Sequence, residues 1–493
     1  MCMRHDLPLG LRHGGRPLKS WLTTAEPPWW LAFLAGGLAG LAMPPLGWPW
    51  LLWIALVPLW RLSWRGGAVW GAAAVLVSHR WLLALHPLDW LGVPGLLSAP
   101  LVIGLWLICG VAAALLVGLW CALVQRAGPA RLSTALSAAW LWAFAELLLA
   151  KGPLFWIGLG VAPLPGDRWL AGLAWFGGAP LLAAVQLLIS WLLWRLRWRA
   201  LLLVLVVAHG LGAAALAAVP SAGMAETELS LVVAQPNLPT REKFSAEQQR
   251  RQRQLLMKAM AAAEQQGADA VVLPEGALPL GQALPAMPVA LLSGGFRRQE
   301  LDERSSVLWF PAGSTRPQQW LDKQRLVPLG EWVPGGLAGL SAVGGVSPGE
   351  APRLLALPPP LGPVAVAICY ELSDGLGLNQ AVRDGAGWLL AIANLDPYPL
   401  ALQQQFTALA QLRAIETSRW LLSSANTGPS ALVSPGGELQ QQLPANQESL
   451  GLMQLPTLSS ESLWTRLGVW PQWLLWLGFL SRTCFSNDER QSP

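Results

Sequence analysis

Charged residues are scarce in this sequence. Asp, Glu, Lys and Arg make up 12% of the 493 residues, against roughly 25% in an average soluble domain. Hydrophobic residues reach 53%, Trp occurs 30 times, and the mean hydropathy is +0.42. A soluble chain cannot bury that much apolar surface, so the shortage of charge excludes an ordinary globular protein and predicts a multi-span membrane protein.

Histidine and cysteine are almost missing from one long polar segment, residues 221–465. All five His residues lie outside it, which excludes a Ser–His–Asp or Cys–His catalytic pair and histidine-ligated zinc there. Cys369 is the one cysteine of the five that lies inside it, so this segment cannot form a disulfide of its own. Without His, a thiol in this segment could be activated by a carboxylate base, with a cation to stabilise the charge that develops. We expect no metal or cofactor.

The remaining charge is unevenly placed. Residues 221–465 contain 16 Lys and Arg against 21 Asp and Glu, a net charge of −5, whereas the rest contains 17 against 7, a net of +10. The basic pI, about 9.2, therefore belongs to the flanks of membrane spans and does not indicate a nucleic-acid partner.

Eight apolar runs predict membrane spans at 29–43, 48–62, 67–84, 97–124, 134–150, 169–194, 199–219 and 467–481. Lys and Arg concentrate at the N-terminus and in alternate connections: Arg4, Arg12, Arg16 and Lys19; Arg61 and Arg65; Arg126 and Arg131; Arg195, Arg197 and Arg199. Because basic connections stay in the cytoplasm, we expect a cytoplasmic segment 1–28, a seven-helix domain 29–220, an exported domain 221–465, and a final span with a cytoplasmic tail in 466–493.

The exported segment has the patterns of a layered α/β domain. Short apolar runs that end in turns predict strands at 229–237, 268–276, 305–313, 364–371 and 387–396, and helical spacing marks 245–266 and 403–420. Ser245 with Gln248 is typical of a capping box at the first helix. The Pro- and Gly-rich stretches 276–295 and 333–363 are predicted to be loops.

Three potentially reactive side chains follow apolar runs in this domain. "VAVAICYELSDG" places Cys369 at the end of one run, "VVLPEGALP" places Glu275 at the end of another, and "LDKQRLVPLGEWVP" supplies Lys323 and Glu331. Each has an ordinary alternative: a buried Cys packs as a small hydrophobe, and Glu or Lys near a turn is usually solvated. Together they suit a thiol that a carboxylate activates and a cation assists.

These motifs resemble the nitrilase, or carbon–nitrogen hydrolase, superfamily, whose Glu–Lys–Cys triad lies on an αββα sandwich. The whole chain, with spans on both sides of that domain, is similar to the apolipoprotein N-acyltransferase family of bacterial membrane enzymes. The segments that carry the resemblance are "AGLAMPPLGWPWLLWIALVPLW", "LPEGALP", "DKQRLVPLGEWVP", "ICYE" and "NTGPSALVSPGGEL". The expected fold is therefore a polytopic α-helical membrane protein of about eight spans with an inserted α/β nitrilase-like αββα sandwich.

The resemblance implies a role for each matching residue. Glu275 would be the general base, Lys323 the cation that stabilises the oxyanion and Cys369 the nucleophile. Supporting roles fall to Glu331, Tyr370 and Glu371, to Phe244 where the family has Trp, and to Asn394, which opens the loop "NLDPYPL". In that loop Leu395 is inserted before Asp396 and Tyr398, unlike the family pattern. Glu146 matches a family position within a span, where His79 and Arg80 are also polar.

The implied reaction is two-step acyl transfer in the bacterial inner membrane, with the catalytic domain on the periplasmic side. A phospholipid would acylate Cys369, and the N-terminal amine of a diacylglyceryl-modified lipoprotein would take the acyl chain from the thioester, with ping-pong kinetics. A monomer is expected. Two alternatives stay open: a membrane-tethered amidase that hydrolyses a small amide, and a non-catalytic scaffold that docks lipoproteins. Eight spans count against the first, and the retained triad counts against the second.

Overall fold

The computed structural model describes residues 26–89, 93–152, 155–219, 227–240, 242, 245–281, 284–328, 330–332, 345–396 and 398–488, with side chains up to residue 483. Helices fill the first part of the chain: α1 Trp29–Ala42, α2 Pro49–Leu56, α3 Trp64–Ser78, α4 Gly95–Ala127, α5 Leu132–Ala150, α6 Arg168–Ala171, α7 Ala174–Trp194 and α8 Trp198–Ala217. Short 3₁₀ helices at Val57–Trp60, Arg80–Leu85 and Leu159–Val161 connect them.

Four of these helices are long and apolar enough to cross a membrane, counted over the described ranges: α4, α5, α7 and α8. They correspond to predicted spans 97–124, 134–150, 169–194 and 199–219. The predicted spans 29–43, 48–62 and 67–84 form helices of 14, 8 and 15 residues, short against the roughly 20 residues that a bilayer requires. The count of about eight spans is therefore not confirmed, and the eighth prediction falls in a helix at Trp470–Asp488.

The span predicted at 169–194 is broken into two helices. The short α6 ends at Ala171, and α7 is kinked where Gly177 and Gly178 leave the helical conformation. Gly178 has a φ of +63° and its Cα faces the Trp464 ring, since a Cβ there would lie 2.6 Å from a ring carbon. Only glycine combines this φ with so close an approach.

The polar segment folds into two six-stranded sheets. The first has the order β12-β1-β2-β3-β4-β5 and the second β11-β10-β9-β8-β7-β6. Their strands are β1 Glu228–Gln235, β2 Ala270–Leu278, β3 Ala290–Gln299, β4 Asp302–Phe310, β5 Gln319–Asp322, β6 Leu354–Ala356, β7 Pro363–Ile368, β8 Trp388–Ala393, β9 Leu421–Ala425, β10 Ala431–Val433, β11 Leu439–Gln442 and β12 Ser449–Pro456. The accompanying helices are α9 Ala246–Gln266, α10 Gly375–Arg383, α11 Leu400–Thr417, α12 Leu463–Leu467 and α13 Trp470–Asp488.

The central strands are buried on both faces because a second layer covers each side. Strand β2 contacts β8 and β9 of the opposite sheet, α9 packs on β1 and β2, and α10 and α11 pack on the second sheet. Continuous apolar runs such as "WLLAIA" in β8 suit strands enclosed in this way. This helix–sheet–sheet–helix order confirms the predicted nitrilase-like sandwich.

Two segments predicted as loops contain strands. β3 lies at Ala290–Gln299, at the end of the stretch 276–295, and β6 lies inside 333–363. The prediction was wrong there because pairing with β4 makes "ALLSGGFRRQ" a strand despite its two glycines, and local composition does not record that pairing. Helix α9 begins as predicted, since the Ser245 side chain accepts from the backbone N of Gln248.

The sandwich rests directly on the helical bundle. Glu416 of α11 accepts a 2.7 Å hydrogen bond from the backbone N of Ala179, at the kink of α7. Gln405, also in α11, donates to the carbonyl of Pro44 at 3.0 Å. Arg325 Nη1 donates to the carbonyl of Ala150, at the end of α5, at 2.5 Å. These contacts hold one face of the second sheet against the membrane helices.

Candidate active site

Three neighbouring parallel strands of the second sheet end side by side. β7, β8 and β9 pair in parallel register, and they are followed at once by Cys369, Asn394 and Asn426. Because the carboxyl ends of parallel strands meet at one edge, these three side chains are brought together by topology alone. Ligand sites in parallel sheets form at such edges.

Cys369 lies in a tight turn at the tip of β7. Its φ is +54°, a left-handed conformation that costs a non-glycine residue roughly 1–2 kcal/mol. A 3₁₀ turn, Cys369–Ser373, begins there, and the thiol accepts a hydrogen bond from the backbone N–H of Tyr370. The strained turn therefore places a backbone amide donor, the N–H of Tyr370, directly beside the thiol.

Glu275 comes from β2 of the opposite sheet. The pairing of β2 with β3 is irregular between Leu273 and Leu278, and this turns the Glu275 carboxylate toward the second sheet. Gly294 of β3 makes room for the bend, since a Cβ there would lie 2.5 Å from the Cα of Glu275. One carboxylate oxygen, Oε2, accepts from the backbone N of Asn394 at 3.0 Å.

Lys323 follows β5 and is almost fully enclosed, with 1% of its side chain exposed. Its Nζ lies 2.7 Å from Oε1 of Glu275 and 2.9 Å from Oε1 of Glu331. Burial by itself would lower the pKa of this amine, but the attraction of Glu275 and then Glu331 outweighs it and holds the pKa well above its usual value. Lys323 is therefore a fixed cation between two carboxylates.

The same charges act on the neighbouring groups. Burial, followed by the negative charge of Glu275, raises the pKa of the Cys369 thiol well above its ordinary value, and Lys323 only partly offsets this. Burial also raises the pKa of Glu331, against the lowering effect of Lys323. At rest Cys369 is consequently a neutral thiol, and a base would be needed to turn it into a thiolate.

Glu371 joins the two sheets beneath the site. Its side chain is fully buried, and Oε1 accepts from the backbone N of Gln324 at 2.7 Å and of Arg325 at 3.1 Å. Its Oε2 accepts from the backbone N of Ile368 at 2.9 Å. One carboxylate thus fixes the segment that carries Lys323 relative to the turn that carries Cys369.

An amide network holds the loop after β8. Asn426 Nδ2 donates to Oδ1 of Asn394 at 2.7 Å, and Asn394 Nδ2 donates to the hydroxyl of Thr240 at 2.8 Å. Asp396 Oδ2 in turn accepts from the backbone N of Thr240 at 2.7 Å. This network orients the backbone N–H of Asn394 toward the Glu275 carboxylate.

Aromatic rings from the bundle cover the site on the membrane side. Phe155, which follows α5, lies 5.5 Å from the Tyr370 ring and stacks on Phe406 at 4.7 Å between ring centres. Trp81, which follows α3, meets Tyr398 edge-on at 5.4 Å. These rings form an apolar wall between the Glu275–Lys323–Cys369 cluster and the helical bundle.

An apolar cavity of about 230 Å³ lies behind this wall, among α1, α3, α4 and α5. His79, Glu146 and Trp156 are among its lining residues. His79 Nε2 lies 3.4 Å from the carbonyl oxygen of Phe155, so the end of the cavity that His79 lines is beside the aromatic wall. Glu146 accepts hydrogen bonds from Trp142 Nε1 and from the backbone N of Leu159, both at 2.8 Å, and so ties α5 to the segment after it. Arg80 lies exposed next to the wall.

The structure brings most of the predicted site residues together. Glu275, Lys323, Cys369, Glu331, Tyr370, Glu371 and Asn394 form one cluster, whereas Phe244 lies outside the described residues. Sequence reasoning missed Asn426, Phe155 and Trp81. A strand-end position could have pointed to Asn426, because it follows an apolar run just as Cys369 does. Over the described ranges no group of three or more His, Cys, Asp or Glu side chains has the arrangement of a metal site.

Comparison with known proteins gives a consistent result. Residues 322–462 match the carbon-nitrogen hydrolase family. An apolipoprotein N-acyltransferase of Prochlorococcus marinus (strain MIT 9313) is 51% identical over 88% of this chain and 91% of its own length. One of Parasynechococcus marenigrum (strain WH8102) is 48% identical over 89% of this chain and 97% of its own.

Solved structures align with about half of the chain. Saccharomyces cerevisiae Nit3, a member of the nitrilase superfamily, aligns with a TM-score of 0.37 and 16% identity over 47% of this chain and 92% of its own. A Nesterenkonia sp. amidase aligns with a TM-score of 0.37 and 16% identity over 50% of this chain and 96% of its own.

Proposed function

The chain belongs to the apolipoprotein N-acyltransferase family, an acyltransferase family that N-acylates lipoproteins, and we propose that Cys369 carries the acyl group during this reaction. The observation that carries the proposal is the buried cluster in which Lys323 Nζ lies 2.7 Å from Glu275 beside the Cys369 thiol. Glu275 lies within β2, Lys323 directly follows β5 of the same sheet, and Cys369 directly follows β7 of the other. This arrangement supplies a base, a cation and a nucleophile at one point.

In the first step Glu275 takes the proton of the Cys369 thiol, and the thiolate attacks an ester carbonyl of a phospholipid. The oxyanion that forms is stabilised by Lys323 and by the backbone N–H of Tyr370, which already faces the sulfur. The carbon–oxygen bond breaks, the proton passes from Glu275 to the departing alkoxide, and a lysophospholipid leaves. An acyl thioester remains on Cys369.

In the second step the α-amine at the N-terminal diacylglyceryl-cysteine of a lipoprotein attacks the thioester. Glu275 accepts the proton that the amine loses, the carbon–sulfur bond breaks, and the thiolate is protonated again. Glu331 keeps Lys323 in place throughout, since its Oε1 lies 2.9 Å from Nζ while its Oε2 accepts from the backbone N of Val327 at 2.9 Å. The two steps involve no oxidation or reduction: one acyl group passes from the phospholipid donor to the amine of the lipoprotein acceptor.

Lipid substrates account for the surroundings of the cluster. The aromatic wall, which includes Tyr370, Phe155 and Trp81, borders the site, and an apolar cavity of about 230 Å³ lies behind it. These apolar surfaces would let the acyl chain of a phospholipid approach the site from the bilayer. A small soluble amide has no acyl chain that would require an apolar wall of this kind. This supports a phospholipid as the acyl donor.

The proposed arrangement in the membrane follows the distribution of basic residues. Eight spans, both termini in the cytoplasm and the domain 221–465 on the periplasmic side of the inner membrane would keep the Lys- and Arg-rich connections in the cytoplasm. Residues 1–28 and 466–493 would be the cytoplasmic segment and the last span with its tail. Because one chain contains every residue of the cluster, the proposal needs only a monomer.

The test is intact-mass analysis of the full-length protein with phospholipid vesicles. We expect a mass gain of one acyl chain, lost on treatment with hydroxylamine, and discharged when a diacylated peptide with an N-terminal Cys is added. Cys369→Ala should show no gain, whereas Cys121→Ala, a buried thiol of α4, should behave as wild type. An adduct that persists in Cys369→Ala, or a wild-type protein that only hydrolyses simple amides, would overturn the proposal.

A further inference from the structure

Arg325 is a buried cation close to the candidate active site. It lies two residues after Lys323, in the segment that follows β5, and only 9% of the residue is exposed. Its backbone N donates to Oε1 of Glu371 at 3.1 Å. The steps proposed above give this guanidinium no part, yet a charge buried this deeply needs partners that hold it in place.

The guanidinium reaches the turn that carries the nucleophile. Arg325 Nη1 lies 3.2 Å from the carbonyl oxygen of Tyr370 and 2.6 Å from the hydroxyl oxygen of Ser373. That hydroxyl lies 2.9 Å from the same Tyr370 oxygen. Both residues belong to the 3₁₀ turn Cys369–Ser373, so these contacts hold the backbone of the turn from one side.

The same two side chains also reach the helical bundle. Arg325 Nη1 lies 2.5 Å from the carbonyl oxygen of Ala150, and the Ser373 hydroxyl lies 3.3 Å from it. Ala150 is the last residue of α5. The final carbonyls of a helix have no partner within the helix and carry partial negative charge, so a guanidinium suits this position. Arg325 thus joins the end of α5 to the turn after Cys369.

The helix held in this way also lines the apolar cavity. Glu146 and Leu149 of α5, within one turn of Ala150, are among the lining residues. An acyl chain in this cavity would lie against α5 while its ester carbonyl has to meet Cys369. The alignment of the two therefore depends on how the end of α5 is fixed relative to the Cys369 turn.

We propose that Arg325 is a positioning residue for acyl transfer, which fixes the Cys369 turn to the end of α5 so that the ester carbonyl of a membrane lipid meets the backbone N–H of Tyr370. The proposal rests on the proposed function, since it names a further residue for that same reaction. Arg325 acts through the backbone of Tyr370, whose N–H is the oxyanion donor proposed above, and not by contact with the substrate.

The experiment compares Arg325→Met and Arg325→Lys with wild type as full-length proteins in phospholipid vesicles. Mass spectrometry follows the rate of thioester formation on Cys369 at several phospholipid fractions. We expect Arg325→Met to lower kcat about 100-fold, the effect of displacing a reacting group by roughly 1 Å, and to leave KM unchanged. Arg325→Lys keeps the charge without the planar donor group, so it should recover part of the loss.

Ser373→Ala tests the same link without removing a buried charge. It deletes the hydroxyl and leaves Arg325 in contact with both carbonyls. We therefore expect kcat to fall about fivefold, the effect of one neutral hydrogen bond, with Tm close to that of wild type. In the double variant Arg325→Met/Ser373→Ala the two losses should not multiply, because both side chains belong to one network.

Two measurements separate positioning from a structural role. Alkylation of Cys369 by iodoacetamide forms no oxyanion, so Arg325→Met should be labelled at the wild-type rate although it transfers acyl groups slowly. Arg419→Met is the matched control: it removes another buried Arg, whose Nε lies 2.9 Å from the carbonyl oxygen of Ala386, at the edge where β8 and β9 begin, opposite the site. We expect this control to lower Tm and to leave kcat per folded molecule unchanged.

The outcomes distinguish the two proposals. If wild-type protein forms the thioester and folded Arg325→Met matches its kcat, or loses iodoacetamide labelling together with acyl transfer, the role of Arg325 is wrong and the proposed function stands. If Arg325→Met does not fold, a Ser373→Ala variant with the kcat of wild type rejects the role in the same way. If wild-type protein forms no thioester, the proposed function fails, and the role of Arg325 fails with it.

Discussion

Lys323 Nζ lies 2.7 Å from Glu275 Oε1, although 48 residues separate them in the chain. The amine reaches Glu331 with a second contact of 2.9 Å, so one cation lies between the buried carboxylate of Glu275 and the partly buried carboxylate of Glu331. The site with a neutral Cys369 thiol carries one net negative charge, and ionising the thiol would add a second. Burial first, and then the negative charge of Glu275, raises the pKa of the Cys369 thiol.

Replacing Glu275 with Gln should make Cys369 alkylate at lower pH while abolishing acyl transfer. Alkylation requires the thiolate, and burial followed by the Glu275 charge raises the pKa of this thiol. Removing that charge lowers the pKa, so the thiolate forms earlier as pH rises. Iodoacetamide labelling of Cys369, followed by mass spectrometry across pH, measures the midpoint. Glu264→Gln, an exposed position on α9, should leave it unchanged, and an unshifted midpoint in Glu275→Gln would contradict the electrostatic argument.

Replacing Lys323 with Met should destabilise the sandwich domain by about 3–5 kcal/mol, the usual cost of removing one partner from a buried ion pair. Burial already raises the pKa of Glu331, and Lys323 lowers it. Without this cation Glu331 would face the Glu275 carboxylate, so the folded variant would favour the protonated form of Glu331. A folded-state pKa above the unfolded value gives stability at low pH that is lost as pH rises. The deficit against wild type should therefore shrink as pH falls through the carboxylate range.

Chemical unfolding of the purified protein in detergent at several pH values measures this deficit. Lys258→Met, on the exposed face of α9, should change stability little. The double variant Lys323→Met/Glu331→Gln should recover part of the loss, because one of the unpaired charges is gone. Equal stability of Lys323→Met and wild type at neutral pH would show that this ion pair does not support the fold.

Replacing Glu371 with Gln should cost about 1–3 kcal/mol and slow thioester formation. The carboxylate accepts three backbone N–H bonds, from Gln324, Arg325 and Ile368, and a Gln amide group would turn a donor toward at least one of these donors. The Lys323 segment and the Cys369 turn would then move apart. Thermal unfolding and the kcat of adduct formation measure both effects, with the more exposed Glu438→Gln as the control. A fully active variant would argue against this bridge.

A reporter inserted at Glu300 should be active only outside the cytoplasm. Glu300 lies in the exposed turn between β3 and β4, so an insertion there leaves both strands paired. Alkaline phosphatase, which folds in oxidising compartments, should be active at this position, while a fluorescent protein that requires the cytoplasm should be dark. The same pair inserted at the Arg126–Arg131 connection should give the opposite pattern. A cytoplasmic signal at Glu300 would overturn the proposed orientation.

The sequence by itself determined the membrane class, the αββα sandwich and the family. The membrane class depends on hydropathy over a span. The sandwich and the family depend on the resemblance of the short motifs that contain Glu275, Lys323 and Cys369 to those of a known family. Such patterns are visible in the sequence because a strand or a helix is formed by residues that are neighbours in the chain. Parallel strands also bring their carboxyl ends to one edge of the sheet, so residues that follow such strands can be expected to lie together.

Only the tertiary structure decided which side chains complete the cluster. Phe155 carries no local mark of function, Asn426 is marked only by its position at a strand end, and the backbone N of Asn394 meets Glu275 only because two sheets face each other. The strand β3 arose in a segment rich in Gly and Pro since pairing with β4 outweighs local preference. The short helices α1 to α3 likewise show that hydropathy marks apolar segments without setting helix length. Contacts between residues far apart in the chain decide burial and partner choice, and these set the charge balance around Cys369.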